Sequence, residues 1–264
     1  MKRITTIGIA IAALGLAACG STVAPRLTPT PAPTVTSTPA PTATPVPTPS
    51  PTPVPPSPTY WWQAEGNAED SVGMDNGTLV GVTFGPGMYG TDQAFSFGGT
   101  ADQVVFNTDG GNRGTGAFTF AFAIKTTAAT QEQAIWEERA QCDSDGTSFW
   151  GFRMQPNGRV SFEAQNTVGQ DYMNLGSTAA VNDGAWHRVA VTRQTTTASL
   201  YVDGQLQATT TTATTADISK RTPMQAGVST CDGVDGTVAF VGQLDEVMIF
   251  RVALTQSQIQ TLGS

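Results

Sequence analysis

The uneven distribution of proline is the sequence feature that most constrains this fold. Fourteen of the 17 prolines lie between Pro25 and Pro58, and only three follow between Tyr60 and Ser264. Residues 20–59 consist almost entirely of Pro, Thr, Ser, Ala and Val, a composition that cannot bury enough apolar surface to offset chain entropy. We therefore predict an extended, disordered linker at residues 19–59 and a single folded domain at residues 60–264.

The first 19 residues have the features of an export signal. Met1-Lys2-Arg3 is followed by an apolar run from Ile4 to Leu14 and by Leu16-Ala17-Ala18-Cys19. A basic start, a short apolar run and small residues before a cleavage point are typical of secretory signals, and the run is too short to span a membrane. The ending resembles a bacterial lipobox, which implies a signal peptide at residues 1–18 and a lipid on Cys19. The alternative is a plain secreted protein in which this cysteine is incidental.

The charges and cysteines narrow the compartment and the partners. All 21 acidic residues lie in the predicted domain, where they face only ten Lys and Arg. This excess argues against nucleic acid and against anionic lipid surfaces, so we expect membrane contact only through the lipid anchor. Cys142 and Cys231 form an even pair in an exported domain, which favours a disulfide. The alternative is two buried free thiols.

Period-two alternation of apolar residues predicts that the domain is built from many short strands. Asn-Gly and Asp-Gly turns separate the strands, and this spacing is typical of a β-sandwich or barrel. Thr255 and Gln258 have the spacing of a capping box and predict one short C-terminal helix. The predicted strands are Ala94–Phe97, Gln103–Phe106, Ala117–Ile124, Ala134–Glu137, Phe149–Met154, Val160–Ala164, His187–Arg193, Ser199–Asp203 and Val238–Phe250.

Five segments in order resemble laminin G-like domains of the concanavalin A-like jelly-roll superfamily. The resemblance implies an all-β fold of two antiparallel sheets with a short C-terminal helix, and a role in extracellular recognition. It does not identify a ligand, because the fold has several functions. The segments are Ala64 to Asp70, then Gly77 to Leu79 with Gly87 to Phe97 and Asp102 to Val104, then Asp183 to Ala190, Leu200 to Gly204 and Phe240 to Phe250.

The same resemblance implies a structural calcium ion between the first and last strands. Carried over to this sequence, its ligands are Asn67 and Asp70 from the opening loop and Asp245 from the closing strand. Amide and carboxylate oxygens are the ligands that calcium prefers. The alternative is a set of ordinary surface carboxylates and turn residues.

Candidate ligand-binding residues fall into an acidic group and an aromatic group. A disulfide between the two cysteines would bring Asp143, Asp145, Asp232 and Asp235 together at one rim of the domain. Aromatic rings stack on sugar rings, and we expect Trp150 to be the main platform, with Trp136 and Tyr172 as weaker candidates. The alternative for each ring is a packing role.

The sequence favours binding over catalysis. It lacks the Glu-x-Asp-x-x-Glu spacing of glycoside hydrolases of this fold, and its adjacent pairs, Glu137-Glu138 and Asp245-Glu246, should point to opposite faces of a strand. The single histidine, His187, needs only a structural role. We therefore expect no catalytic residues and a non-catalytic lectin-like module for extracellular carbohydrate. The alternatives are a protein-binding adhesion or scaffold module and, less favoured, a glycoside hydrolase.

The lipid anchor predicts that the protein stays with the bacterial cell envelope. In Cys19→Ala the thiol that would carry the lipid is absent, so the protein should be released into the medium. Fractionation of cells and medium measures this. Retention of Cys19→Ala with the membrane would contradict a lipid on Cys19.

Overall fold

The structure is a computed structural model that describes residue 32 and residues 53–99, 101–106, 111–128, 130–142, 148–166, 171–219 and 222–262. Internal contacts divide the chain into Met1–Pro49 and Ser50–Ser264, and the strands and the helix of the described residues lie in the second unit. The signal peptide, Cys19 and most of the linker lie outside the described residues, so the interpretation of those segments stays a prediction. Within the described part, no helix is both apolar enough and long enough to span a bilayer.

The described residues form short strands and one helix, in agreement with the predicted all-β class. In chain order the elements are β1 Tyr60–Trp62, β2 Thr78–Val80, β3 Thr83–Pro86, β4 Gln93–Gly98, β5 Gln103–Phe106, β6 Phe118–Lys125, β7 Gln133–Glu138, β8 Phe149–Met154, β9 Arg159–Gln165, β10 Met173–Ala180, β11 His187–Gln194, β12 Thr197–Val202, β13 Gln205–Thr211, β14 Met224–Ala226, β15 Val238–Ala239, β16 Val241–Phe250 and α1 Gln256–Gln260.

The strands form two sheets, and the predicted jelly-roll sandwich is confirmed. The first sheet has the order β13-β12-β11-β6-β16-β4-β3, with β1 also paired to β16. The second has the order β10-β9-β8-β7-β14-β5-β2, with β15 also paired to β7. All these pairings are antiparallel except the short one between β15 and β7. Each sheet therefore combines strands that are distant in sequence, as a jelly roll requires.

Aromatic side chains from both sheets fill the space between them. In β6, Phe118, Phe120 and Phe122 alternate onto the inner face, as the period-two pattern predicts. Phe120 lies 4.4 Å from Trp150, centroid to centroid, and Trp150 lies 5.0 Å from Trp136 in an edge-to-face arrangement. Such pairs add to the free energy of burying the rings.

This packing corrects the prediction that Trp150 and Trp136 form a sugar-binding platform. Both rings are fully buried in the core between the sheets. A sugar ring needs an open aromatic face, and neither tryptophan offers one. The indole N–H of Trp150 donates to Glu138 inside the protein, at 3.0 Å.

The outer face of the first sheet is partly covered by the C-terminal segment. Helix α1 begins with the predicted capping box of Thr255 and Gln258. Its Ile259, with Leu262 just beyond it, packs with Ala121, Ala190 and Met248 on the outer side of the sheet. Strand β6 is therefore buried on both faces, whereas the alternation of its residues predicted one buried face.

The position of Trp150 predicts that its loss affects stability. Trp150→Ala removes a large buried ring and should lower the free energy of unfolding by about 3–5 kcal/mol. Leu206→Ala truncates a half-exposed side chain and should change it by about 0.5 kcal/mol or less. Urea denaturation of both variants measures the difference. Equal stability of the two variants would contradict the core position of Trp150.

Candidate functional site

Four polar residues and a glycine form a row across the outer face of the second sheet. Strand pairing aligns five positions on neighbouring strands: Gln225, Glu137, Gly151, Glu163 and Asn174. Their chain neighbours Trp136, Trp150, Phe152 and Phe162 are apolar and point into the core. Because successive side chains of a strand alternate between faces, the charged members of the row must point outward.

The centre of this face is an ion pair that is itself buried. Arg153 Nη1 donates to Glu137 Oε2 at 2.7 Å, and both side chains are nearly inaccessible to solvent. The segment after β14 covers them: Ser229 Oγ and the backbone N–H of Thr230 donate to Glu137 at 3.0 Å. Burial lowers the pKa of Arg153, but the charge of Glu137 and its hydrogen bond outweigh burial and leave the pKa raised. Arg153 is therefore firmly charged.

A second arginine extends this network to the next strand. Arg139 Nη2 lies 2.5 Å from Glu163 Oε1, and Arg139 Nε lies 3.7 Å from Glu137 Oε2. The Arg139 guanidinium carbon stands 3.5 Å from the ring centroid of Phe149, a cation–π contact. Glu163 also accepts a hydrogen bond from the hydroxyl of Tyr172, at 2.7 Å. Charged groups of alternating sign thus run from the buried ion pair to the surface.

Beside this network lies a groove of about 270 Å³, which we call the outer groove. Its lining is almost entirely polar: Glu132, Arg153, Gln155, Ser161, Glu163, Tyr172 and Asn174. Tyr172, one of the predicted aromatic candidates, has 44% of its surface exposed here. Burial of its hydroxyl, followed by the hydrogen bond to Glu163, raises the pKa of Tyr172 well above its usual value, so the hydroxyl stays protonated. The groove therefore offers an aromatic ring surrounded by hydrogen-bonding groups.

Sequence reasoning missed most of the groove, although a signal for it exists. Arg153 and Glu163 stand out as charges at alternate positions within very apolar strands. The alternation alone assigns them to the outer face. What the sequence does not reveal is that β7, β8, β9 and β10 are neighbours, which brings these residues together.

The two cysteines lie side by side near the buried ion pair. Both are free thiols in this structure, and their Sγ atoms lie within 4.8 Å of each other and of an Asp235 oxygen. Burial, followed by the contact with Cys142, raises the pKa of Cys231 to about 12, so it is a neutral thiol at pH 7. The disulfide stays a prediction that this proximity permits.

The structure describes only two of the four aspartates that were predicted to form an acidic rim. Asp143 and Asp145 lie outside the described residues. Asp232 accepts the backbone N–H of Ser229, and Asp235 accepts that of Thr237. These two carboxylates cap turns of their own segment, and neither lines the outer groove.

A separate group of carboxylates lies at the closing strand. One oxygen from each of Asp92, Asp245 and Glu246 lies within 4.8 Å of the others. A β-bulge makes this grouping: β16 shifts register against β6 between Asp245 and Met248, and Glu246 has a φ of +52°. The expectation that Asp245 and Glu246 point to opposite faces is therefore wrong, because the bulge interrupts the alternation.

This grouping differs from the predicted calcium ligands, which stay a prediction. Asp245 is joined by Asp92 and Glu246, whereas Asn67 and Asp70 hold the opening loop together. The amide oxygen of Asn67 accepts the backbone N–H of Glu69, and Asp70 accepts those of Trp61 and Val72. Such turn hydrogen bonds are a common use of Asn and Asp side chains.

The three carboxylates at the closing strand repel one another, and one of them has a strongly raised pKa. Burial raises the pKa of Asp245 to about 7, with the nearby charge of Glu246 adding to the shift. Both oxygens of Asp245 accept backbone N–H groups, from Met88 and Glu246, and Glu246 accepts the indole N–H of Trp61 at 2.5 Å. A proton or a cation would each relieve the repulsion between these carboxylates.

His187 has the structural role that the sequence predicts. Its ring nitrogens lie 2.8 Å from Asp203 and 3.0 Å from Asp183, so it joins two turns. Burial lowers the pKa of His187, but the hydrogen bonds to the two carboxylates outweigh burial and leave it raised.

Comparisons with known proteins agree with this architecture. The family model of the concanavalin A-like lectin/glucanases superfamily matches residues 97–260, more than half of the chain. No curated protein matches the sequence.

Among solved structures, the binding domain of Paraclostridial Mosquitocidal Protein 1 matches with a TM-score of 0.63 and 13% identity over 78% of this chain and 51% of that one. Domain 4 of an extracellular GH43 arabinanase from Geobacillus stearothermophilus, in complex with arabinotriose, matches with a TM-score of 0.63 and 18% identity. The match covers 78% of this chain and 98% of that domain.

The ligand-binding domain of botulinum neurotoxin serotype D, in complex with N-acetylneuraminic acid, matches with a TM-score of 0.58 and 16% identity over 78% of this chain and 50% of that one. The chain thus spans about half of the length of these toxin domains. At such identities the likeness establishes the fold.

The raised pKa of His187 predicts a pH dependence of stability. A raised pKa in the folded state means that the stabilising contribution is present below the ordinary value of 6.5 and is lost as pH rises through the folded-state pKa. Melting temperatures measured in chelator from about pH 5.5 to 9 should fall more for the wild type than for His187→Gln. Parallel curves for the two proteins would contradict a stabilising histidinium.

Proposed function

Because the chain belongs to the concanavalin A-like lectin/glucanase superfamily, we propose that it is a non-catalytic lectin-like module that binds extracellular carbohydrate in the outer groove. The observation that carries this proposal is the half-exposed ring of Tyr172 beside Glu163, Asn174 and the other polar side chains of the groove. A sugar presents C–H bonds to an aromatic face and hydroxyls to polar groups, and the groove offers both kinds of contact.

The environments of Glu137 and Glu163 support binding without catalysis. Retaining and inverting glycosidases need two carboxylates that both reach the scissile bond. Glu137 is fully buried and paired with Arg153, so it has no access to a substrate. Glu163 is held by Arg139 and Tyr172. The matching arabinanase and toxin structures are domains bound to ligands or named for binding, which agrees with this role.

We also propose that a lipid on Cys19 holds the module at the bacterial cell envelope and that residues 20–59 serve as the stalk. The support is the lipobox-like sequence and the proline-rich composition. A polyproline stretch rises about 3.1 Å per residue, so the stalk would carry the groove well clear of the membrane.

Calcium stays a prediction, with a revised ligand set. Asp92, Asp245 and Glu246 are the described carboxylates that converge at the closing strand, and the raised pKa of Asp245 makes a neutralising partner favourable there. Calcium would supply that charge and link β16 to the loop before β4. We propose it as a structural ion that lies apart from the outer groove.

The glycan-binding role predicts a specific loss in Tyr172→Ala. Removing the ring deletes the stacking surface, so retention on a glycan-containing affinity gel should fall by about tenfold or more. Tyr89→Ala removes a similarly exposed tyrosine outside the groove and should bind as the wild type does. Unchanged melting temperatures would establish that both variants are folded.

A glycan array with the wild-type chain identifies the sugar for this test. Retention of Tyr172→Ala at wild-type strength would remove the outer groove from the proposal. Capture of a surface protein in the absence of any glycan binding would favour the adhesion alternative, and release of reducing sugar would favour the hydrolase.

A further inference from the structure

The negative charges at the outer groove are more exposed to solvent than the positive ones. Its side of the domain contains two arginines and three glutamates linked in the order Glu132, Arg153, Glu137, Arg139, Glu163. The side chains of Arg153 and Arg139 are only 3% and 6% exposed, whereas those of Glu163 and Glu132 are 25% and 36% exposed. A ligand entering the groove therefore meets carboxylates and finds the guanidinium groups covered.

The guanidinium groups of both arginines are already paired with carboxylates. Arg153 donates to Glu137 and to Ser229, and its Nε lies 3.6 Å from Glu132. Arg139 donates to Glu163 and stacks on Phe149. An anionic ligand that paired with Arg153 would have to take it from the buried carboxylate of Glu137, which would leave that carboxylate without its closest cation at a high cost in free energy. One that paired with Arg139 would have to displace Glu163.

The remaining groups suit hydroxyls. Exposed carboxylates accept hydrogen bonds from sugar hydroxyls, and the amide side chains of Asn174 and Gln155 both donate and accept them. Arg159, the first residue of strand β9, is exposed and does not line the groove. The chain as a whole also carries a net charge of -8, which repels anions at long range.

We infer that the outer groove selects uncharged oligosaccharides and rejects acidic ones such as sialylated or uronate-containing glycans, because its exposed charges are carboxylates and its arginines are buried in ion pairs. This inference rests on the proposed glycan-binding function and goes further, since it names the class of sugar. Of the two ligands found with similar folds, it favours the arabinotriose type over the N-acetylneuraminic acid type.

Matched neutral and acidic glycans test the inference directly. Suitable pairs share a backbone and differ in charge: methyl-esterified and free oligogalacturonides, and lactose and sialyllactose, beside arabinotriose. With the full chain at low salt, each acidic member should bind at least about tenfold more weakly than its neutral partner. The difference in affinity between the two members of a pair should become smaller as added salt screens the exposed carboxylates.

Two variants with the same change in net charge locate the effect. Glu163→Gln removes an exposed carboxylate of the groove and releases Arg139. The affinity for acidic glycans should therefore rise relative to the affinity for neutral ones. Glu69→Gln removes an exposed carboxylate from the opening loop, outside the groove lining. It should leave the ratio of the affinities for acidic and neutral glycans unchanged. Equal shifts in the two variants would assign the selectivity to net charge and overturn the role of the groove.

The possible outcomes distinguish a failure of this inference from a failure of the proposed glycan-binding function. Acidic glycans that bind as tightly as neutral ones, with binding lost in Tyr172→Ala, would overturn the selectivity and leave the glycan-binding groove in place. Preference for a cationic amino sugar over arabinotriose would also overturn it. Absence of binding to every glycan would instead count against the proposed function itself.

Discussion

The buried ion pair between Glu137 and Arg153 is the interaction on which the outer face of the second sheet depends. An unpaired charge at so inaccessible a position would cost several kcal/mol, so each partner requires the other and further donors. Ser229 and Thr230 supply those donors, which fixes the segment after β14 against the sheet. The same segment brings Cys231 beside Cys142. One contact between two strands thus positions a loop, a thiol pair and the inner wall of the groove.

The bulge in β16 has a comparable role on the first sheet. Strand β16 pairs with β1, β4 and β6, so it joins the start of the domain to its end. The extra residue at Glu246 keeps Leu244 and Val247 in the core while grouping two carboxylates near Asp92. A positive φ at a non-glycine residue costs on the order of 1 kcal/mol. The hydrogen bond from the Trp61 indole to Glu246 helps to offset that cost and ties β1 to the bulge.

The sequence predicted the parts of the fold that follow from local alternation. Strands rich in Phe, Val and Ile were predicted within a few residues, but β10 and β13 were missed because they contain mainly Thr, Gly, Ala, Asn and Gln. Strands β1, β2, β3 and β14 were also missed, because three or four residues are too few to show alternation. The error at Trp150 has a different origin: its residue type was given more weight than its position, although alternation with Phe152 already assigned it to the core. The calcium ligands depended on a bulge, and register shifts arise from long-range pairing that one sequence does not reveal.

The groove and the core share strands, so neither can change alone. Gly151 lies in the polar row between Glu137 and Glu163, while Trp150 and Phe152 on either side of it are locked in the aromatic core. A Cβ atom at Gly151 would stand 3.2 Å from the Cβ of Glu137, so a side chain there would press on the buried ion pair. Glycine therefore leaves room for the ion pair between Glu137 and Arg153. The charge pattern that a ligand meets is in this way set by core packing on the opposite face of the same strands.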